Sequence, residues 1–478
     1  MNFGSMRWVI ISAIASALAY RFFNIGLIFT IMPLFLIDQK FPKKLWVWGI
    51  IYMGILHSFL LEVHAYSTPV AAATLWGVTS LYYSLFYTGL GAIVQQCNIR
   101  ISLISSKLIL AIGWMIMEYL KSIGQFGNPH GSLGIGLSDI ILHLPVISRI
   151  GSIGLTGLTL CMAWLIILIF QEKKPMQLGK YSMLLAIIGS TALISTNNTP
   201  PATQSIPVAV IQTDANQAHK MNRQFWPTLV DGYLKQIQMI QTPHLVLFPE
   251  ILISTDITQP HWAKQFNTAA NMSQSALIAG SYTLSNNKLY NSAVVFQNNT
   301  LPMASHKRQL MPFGEYLPFR PLLSKLIPTS LQFSDFNRGT TPQLFSIMGI
   351  QVHALICLEG IYPAMFQQST ADIFVILANN TWFNNSSAGH FLLKFAKTHA
   401  ATVRKPVLLS ANHGVSAIIN ANGSINKVTN HFNTDTLLSS VDIHPPAPTT
   451  AEQLPWLGPL FVALLLIIIE RIHKPRDN

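Results

Sequence analysis

Apolar residues come in long blocks at the start of the chain. The blocks cover residues 8–20, 22–38, 45–63, 69–94, 101–120, 150–170 and 181–195, and an eighth, 455–469, stands near the C-terminus. A helix that crosses a bilayer needs about 20 mostly apolar residues. Seven early spans and one late span are therefore predicted, the first and seventh lengthened by flanking residues. Residues 68–94 exceed one span and are expected to include a loop or an interfacial piece. The first block also has the outline of a signal peptide: Arg7, an apolar run, then Ala17-Leu18-Ala19. A second apolar run follows it at once, which favours a retained span.

Between the seventh and eighth blocks the pattern changes. Short β-branched and aliphatic runs recur at 206–212, 244–250, 275–282, 291–297, 352–360, 372–380, 406–412 and 415–423. Helix-compatible stretches fall between several of them, at 219–241, 259–274 and 389–404. Strands alternating with helices predict an α/β domain with largely covered sheets. The expected organisation is a helical membrane unit over 1–197, an α/β domain over 198–452, and a last membrane helix with its tail over 453–478. The central stretch is long enough for a single core.

Composition agrees with a membrane assignment. Only 10% of residues are charged and 50% are hydrophobic, against about 25% charged in soluble proteins. Mean hydropathy is +0.39. A disordered chain, a collagen-like chain and an ordinary cytosolic enzyme are excluded. Three cysteines exclude a disulfide scaffold. The net charge of +12 would suit nucleic acid, but its distribution points elsewhere. The central stretch 200–452 holds 15 Lys+Arg against 11 Asp+Glu, a net of +4. The rest lies beside the apolar blocks.

Those charges orient the spans. With a cytoplasmic N-terminus, the cytoplasmic side receives eleven: Arg7, Lys40, Lys43, Lys44, Arg100, Lys173, Lys174, Lys180, Arg471, Lys474 and Arg476. The opposite short loops receive three, Arg21, Lys121 and Arg149. An odd number of early spans then puts the central domain outside the cytoplasm.

Acidic residues are scarce in that domain. It has four glutamates, Glu250, Glu315, Glu359 and Glu452. Glu250 ends the apolar run HLVLFPE, Glu315 sits in LMPFGEYLPF, and Glu359 lies two residues beyond the domain's only cysteine, Cys357. A buried carboxylate is costly unless paired or hydrogen-bonded, so carboxylates at strand ends are candidate functional groups or halves of an ion pair. A lone cysteine is commonly a small buried hydrophobe. A Cys–His pair is the first catalytic arrangement to consider. His353, four residues upstream on the same strand, would stand about 13 Å away and so cannot bond to the thiol. Lys307 and Arg308 supply cations. A thiol, a carboxylate and an ammonium form a workable set: the carboxylate takes the thiol proton and the ammonium steadies the thiolate and an oxyanion. Zinc spacing, Gly-rich phosphate loops and GxSxG are missing from the sequence.

The order Glu250, Lys307, Cys357, in FPE, KRQLMPFGEYLP and CLE, resembles the nitrilase superfamily. With seven spans before it and one after, the chain resembles the membrane-embedded branch of that superfamily, the apolipoprotein N-acyltransferases. VAVIQTDANQ, YNS at 290–292, NRG at 337–339, NNTWF at 379–383 followed by His390, and SANHG at 410–414 also fit, as does Trp114-x-x-x-Glu118-x-x-Lys121. The resemblance implies an αββα sandwich carried on a bundle of about eight membrane helices. It implies Glu250 as general base, Lys307 as catalytic lysine and Cys357 as nucleophile. Glu315 and Glu359 would be supporting acids that hold Lys307 and orient the base or leaving group. Tyr290, Trp382, Phe383 and His390 would line the substrate site. The implied reaction moves an acyl chain from a phospholipid to the α-amine of a diacylated apolipoprotein through a Cys357 thioester, in a bacterial inner membrane with the catalytic domain in the periplasm. Membrane lipid is the implied surrounding partner; no metal, cofactor or nucleic acid is implied. The chain departs from the family pattern at Lys121, Phe248, Ile251, Leu252, Leu358, Ala378, Asn380, Thr381, Asn384, His399 and Thr402. Two alternatives stay open on sequence alone: a membrane-tethered amidase-like hydrolase, and a degenerate lipid-binding homologue.

Overall fold

The computed structural model describes residues 5–22, 24–37, 40–100, 106–137, 146–194, 201–240, 242–297, 300–323, 335–367, 369–430, 433–445 and 447–473. The predicted boundary at 197/198, residues 101–105 of the fifth apolar block, and Lys474 and Arg476 lie outside them. The chain divides into two units. One comprises Met1–Asn198, Ala401–Val403 and Pro448–Asn478; the other comprises Thr199–Ala400 and Arg404–Ala447.

The first unit is helical. Its long helices are Met6–Phe22, Phe41–Leu56, Pro69–Arg100, Ser106–Ser122, Ile147–Gln171, Pro175–Ile194 and Leu457–His473. Among the described residues, two helical stretches, Phe41–Tyr66 and Ile147–Gln171, are long and apolar enough to cross a membrane. The structure changes two expectations. Block 22–38 is not one continuous α-helix: it forms the short helix Gly26–Thr30 and a 3-10 turn, Met32–Leu36. Pro33 lies in that turn; it has no N–H to continue an α-helix and its ring crowds the preceding turn. Block 68–94 contains no loop. It is one continuous helix, Pro69–Arg100, because its only proline is at the first position, where a missing N–H costs nothing.

Glycines let this helix approach its neighbour. A Cβ on Gly91 would lie 2.8 Å from the Phe41 carbonyl oxygen, and one on Gly49 would lie 2.7 Å from the Tyr87 ring. Inside the unit the Glu118 carboxylate is buried but fully served. It accepts from Trp114 Nε1 at 3.0 Å, Ser132 Oγ at 2.6 Å, Thr156 Oγ1 at 2.6 Å and the Leu133 N–H at 2.9 Å. The Lys121 ammonium donates to the His130 carbonyl at 2.7 Å. Four donors on one carboxylate offset its desolvation and tie three separate segments together.

The second unit is a sandwich. Its strands are β1 (Gln204–Gln212), β2 (Leu245–Leu247), β3 (Ala276–Ser285), β4 (Lys288–Phe296), β5 (Met303–His306), β6 (Leu344–Ile347), β7 (Ile350–Ile356), β8 (Ile373–Asn379), β9 (Val407–Asn412), β10 (Ala417–Ile419), β11 (Ile425–Val428) and β12 (Asp435–Ile443). They form two six-stranded sheets, ordered β12-β1-β2-β3-β4-β5 and β11-β10-β9-β8-β7-β6. In each, parallel central strands are flanked by antiparallel ones.

Period-two burial explains the layers. Val208 and Val210 of β1, Leu245 and Leu247 of β2, and Val375 and Leu377 of β8 share one core between the sheets. The intervening Ala209, Ile211 and Val246 face the other way, onto a second core with Val230, Tyr233 and Ile237 of the helix Trp226–Gln238 and Phe266 of the helix Pro260–Met272. On the far sheet, Phe366 packs at a tilt against Phe374 of β8 and stacks on His399 of the helix Ala388–Val403. Helix, sheet, sheet and helix layers follow, as the resemblance implies.

Three boundaries differ from the sequence pattern. Run 244–250 yields only β2. Run 352–360 ends as a strand at Ile356 and continues as a 3-10 turn, Cys357–Ile361. The helical stretch 219–241 breaks at Asn222, whose Oδ1 accepts from the Gln224 N–H, and restarts with Pro227 in the first turn of Trp226–Gln238.

Candidate active site

Each catalytic candidate stands just past the end of a strand: Glu250 after β2, Lys307 after β5, Cys357 after β7. Two of the turns are strained. Ile251 has φ +49° and Cys357 has φ +50°. The left-handed region costs a non-glycine residue about 1–3 kcal/mol, which the surrounding contacts must offset. For Glu250 those contacts are visible. The Gly280 N–H donates to the Pro249 carbonyl at 3.0 Å, the Leu252 N–H to the Gly280 carbonyl at 3.0 Å, and the Glu250 N–H to the Ala378 carbonyl of β8 at 3.4 Å. A side chain at 280 would not fit, since a Cβ there would lie 2.5 Å from the Glu250 Cα.

The charges form a compact cluster. The Lys307 ammonium, 2% exposed, lies 3.3 Å from Glu250 Oε1 and 2.9 Å from Glu315 Oε1. The Asn291 side-chain amide bridges the same two oxygens, donating to each at 2.7 Å. Glu315 is fixed again by the Met311 N–H, which donates to its Oε2 at 2.8 Å. Among the described residues, Glu250 takes these side-chain bonds on Oε1 alone.

Burial pushes the Cys357 thiol up to about 12; Glu250 and Glu315 push the same way, while Lys307 and the Asn379 N–H oppose them. The thiol therefore keeps its proton at neutral pH and needs a base to become a nucleophile. Burial works against charge on Lys307, but Glu250, Glu315 and Cys357 outweigh it and hold the ammonium above its ordinary value. One cation thus stays charged between two carboxylates, with the thiol inside its field.

Glu359 is brought close without touching the Lys307 ammonium. Its Oε1 accepts from the main-chain N–H groups of Arg308 at 2.7 Å and Gln309 at 3.1 Å, and its Oε2 from that of Ile356 at 2.9 Å. It clamps the chain after Lys307 to the chain before Cys357. Burial raises its pKa, and the three N–H groups work against that.

Of the four aromatic and histidine candidates, one lies on β4 and three lie on the segment that follows β8. Tyr290, beside Asn291, stacks on His306 with ring centroids 4.1 Å apart. Trp382, 37% exposed, and Phe383 lie on the 3-10 turn Thr381–Phe383 after β8. His390 is exposed in the first turn of Ala388–Val403. His353 is turned to other partners, Ser369 at 3.1 Å and the Arg308 guanidinium at 3.3 Å.

Sequence reasoning passed over three residues that the structure brings to the site. Asn291 lies in the YNS segment, where the resemblance points to the tyrosine beside it. Asn379 belongs to NNTWF; its N–H faces the thiol, and its amide is held by Gln217 at 3.1 Å and Asn412 at 3.0 Å. Lys220, buried behind Glu250, carries no signal in its neighbourhood, because a lysine in a helical stretch is ordinarily solvated.

Residues 208–445 match the carbon-nitrogen hydrolase family, and residues 12–165 match the apolipoprotein N-acyltransferase N-terminal domain. Curated relatives align along most of their length. An apolipoprotein N-acyltransferase of Vibrio parahaemolyticus is 24% identical, over 96% of this chain and 94% of its own. That of Shewanella oneidensis is 25% identical, over 78% of this chain and 75% of its own. That of Vibrio vulnificus is 26% identical, over 86% and 85%.

Proposed function

The chain belongs to the apolipoprotein N-acyltransferase family, and on that premise we propose that it transfers a fatty acyl chain from a phospholipid to the α-amine of a diacylglyceryl-cysteine apolipoprotein, with Cys357 as the acyl carrier. The observation that carries this reading is the buried Glu250–Lys307–Glu315 cluster at a thiol that stays protonated without help.

In the first half-reaction Glu250 takes the Cys357 proton, and the thiolate adds to an ester carbonyl of the phospholipid. The Lys307 ammonium attracts the resulting oxyanion, a preorganised charge in a site shielded from water. The intermediate collapses, the C–O bond breaks, and the lysophospholipid leaves with the proton from Glu250. A thioester remains. In the second half-reaction the neutral α-amine adds to the thioester carbonyl and gives a proton to Glu250. The C–S bond breaks and Glu250 returns the proton to Cys357. An α-amine with pKa about 7.7–8.0 is partly neutral at pH 7 and so can attack. Splitting the transfer across a covalent intermediate gives ping-pong kinetics. Asn291 and Glu315 fix the base and the ammonium relative to each other, and Glu359 fixes the two loops that carry the ammonium and the thiol. Trp382, Phe383, His390 and Tyr290 are assigned to substrate contact.

The same reading makes the helical unit a bundle of about eight spans in a bacterial inner membrane, with a cytoplasmic N-terminus and the catalytic domain in the periplasm. Both substrates bear acyl chains, so the thiol must work at a lipid surface. The eleven-to-three Lys/Arg asymmetry supports the orientation. The helix Leu457–His473 exposes Leu457, Leu460, Phe461, Leu464 and Ile468 while burying Val462, Leu466 and Ile469. An exposed apolar stripe of that kind suits lipid better than water.

The test is product analysis. Incubated with phospholipid and a diacylated lipopeptide bearing a free α-amine, the purified chain is expected to yield an amide-linked third acyl chain and one lysophospholipid per turnover. Free fatty acid in place of the amide would make it a hydrolase. Neither product would make it a lipid binder.

A further inference from the structure

Lys220 is a buried lysine of the catalytic domain, beside Glu250, that the reaction above does not use. It sits on the short helix Gln217–Met221 and is 1% exposed. Its ammonium donates to the main-chain carbonyl of Glu250 at 3.3 Å. Its own main chain is held by three bonds: its N–H donates to the Asn216 carbonyl at 3.1 Å, and its carbonyl accepts from the Ser254 N–H at 3.0 Å and from Trp226 Nε1 at 2.8 Å. Three residues earlier on the same helix, Gln217 accepts from the Asn379 amide at 3.1 Å, and the Asn379 N–H faces the Cys357 thiol. One five-residue helix therefore touches the loop that carries the base and the loop that faces the nucleophile.

We propose that this helix braces the catalytic pair and that Lys220 is its charged positioning residue, gripping the Glu250 carbonyl beside the strained Ile251 and placing a second cation behind a cluster of two carboxylates and one ammonium. The inference rests on the acyltransferase reading only for the reaction it serves. Its physical basis is local. Glu250 and Glu315 carry two negative charges against the single Lys307 ammonium, and a buried excess charge is costly. Charge on Lys220 lowers that excess. Burial drives Lys220 down to about 7 although Glu250 opposes the fall, so at neutral pH the lysine is charged in part, and that charge depends on its nearness to the base. A lysine that only satisfied a carbonyl would be replaceable by any neutral donor. One that supplies charge would not.

The variants that separate these roles are Lys220→Gln, which keeps a donor and removes the charge, Lys220→Met, which removes both, and Lys220→Arg, which keeps both. They are made in the full chain with Cys97→Ser and Cys161→Ser, so that Cys357 is the single thiol. Two rates are measured at pH 7: alkylation of Cys357 by iodoacetamide, and release of lysophospholipid from mixed phosphatidylethanolamine–phosphatidylglycerol micelles. Glu250→Gln sets the floor for both. The expected result for Lys220→Gln and Lys220→Met is alkylation slowed at least fivefold and release slowed at least tenfold, with KM within twofold. Lys220→Arg should recover most of both losses. Should Lys220→Met fail to accumulate, Lys220→Gln alone decides between the two roles. Turnover and alkylation within twofold of the parent in Lys220→Gln would overturn the proposal, and so would a well-accumulated Lys220→Arg as slow as Lys220→Gln. Alkylation needs neither phospholipid nor apolipoprotein. If it falls as expected while the parent itself releases no lysophospholipid, the brace stands and the acyltransferase reading fails.

Discussion

Glu250 accepts both side-chain hydrogen bonds on one oxygen, and that asymmetry defines the site at the scale of single residues. Lys307 and Asn291 hold Oε1 in place, and neither occupies Oε2. Because base, cation and nucleophile act as one unit, their losses should not add. Glu250→Gln, Lys307→Met and Cys357→Ala are each expected to cut transfer by roughly 100-fold or more, while the protein still accumulates in membranes. A Glu250→Gln/Cys357→Ala double variant should be no worse than the worse single one. Lys264→Met, on the exposed face of Pro260–Met272, is the control and should keep full activity. Near-normal turnover in Lys307→Met would remove that residue from the mechanism. Glu250 and Cys357 were legible because acidic residues and cysteine are rare in this domain and each stood at the end of an apolar run, whereas Lys307 was legible only through the KRQLMPFGEYLP motif that carries the resemblance. Asn291 and Lys220 were not, since an asparagine in a strand and a lysine in a helical stretch look ordinary until the fold buries them.

At the scale of elements, the core strands β1, β3, β4, β7, β8 and β9 followed from β-branched runs, because strands buried on both faces must be apolar throughout. Strands β5, β6, β11 and β12 did not. β11 is exposed at every position, and β12 buries only Leu437, Val441 and Ile443 in a polar sequence, so pairing rather than composition makes them strands. The element scale also carries a pH dependence. Burial lowers His353, on β7, to about 4, aided by Arg308 and Lys405. Burial lowers His399, on Ala388–Val403, to about 4 against its hydrogen bond to the Ile361 carbonyl. Both are neutral in the fold, whereas an unfolded histidine titrates near 6.5. Between about pH 6.5 and 4 the unfolded chain binds more protons, so stability falls as pH drops through that window. Shifts of this size are worth on the order of a few kcal/mol together. Thermal unfolding at pH 7 and pH 5 should show a clearly lower midpoint at pH 5. A His353→Asn/His399→Gln variant should flatten the difference. An unchanged midpoint in the parent would mean that the two rings are protonated in the fold.

At the scale of the whole molecule, the chain joins a helical unit with outward apolar stripes to a sandwich with a polar, charged site. The apolar blocks located the helices well, but hydropathy alone could not see that Pro33 divides one block or that Pro69–Arg100 runs unbroken. Their proposed orientation makes a separate prediction. A reporter active only outside the cytoplasm should work when fused after residue 440 and stay silent after residues 44 and 176. Activity after 176 with silence after 440 would invert the topology and remove the catalytic domain from the periplasm.

The central claim is that Cys357 carries the acyl chain between two substrates, and its most direct test is the mass of the protein itself. Attack on the ester and attack by the amine are separate steps, so phospholipid without acceptor should stop the enzyme halfway. Exclusion of water from the site should protect the thioester. Protein purified from membranes in a Cys97→Ser/Cys161→Ser background is expected to carry, in part, one fatty acyl group on Cys357, removable by neutral hydroxylamine. A diacylated lipopeptide with a free α-amine should discharge it, and the N-acetylated lipopeptide should not. An adduct that persists in Cys357→Ala, or that water removes as fast as the free amine does, would contradict the account.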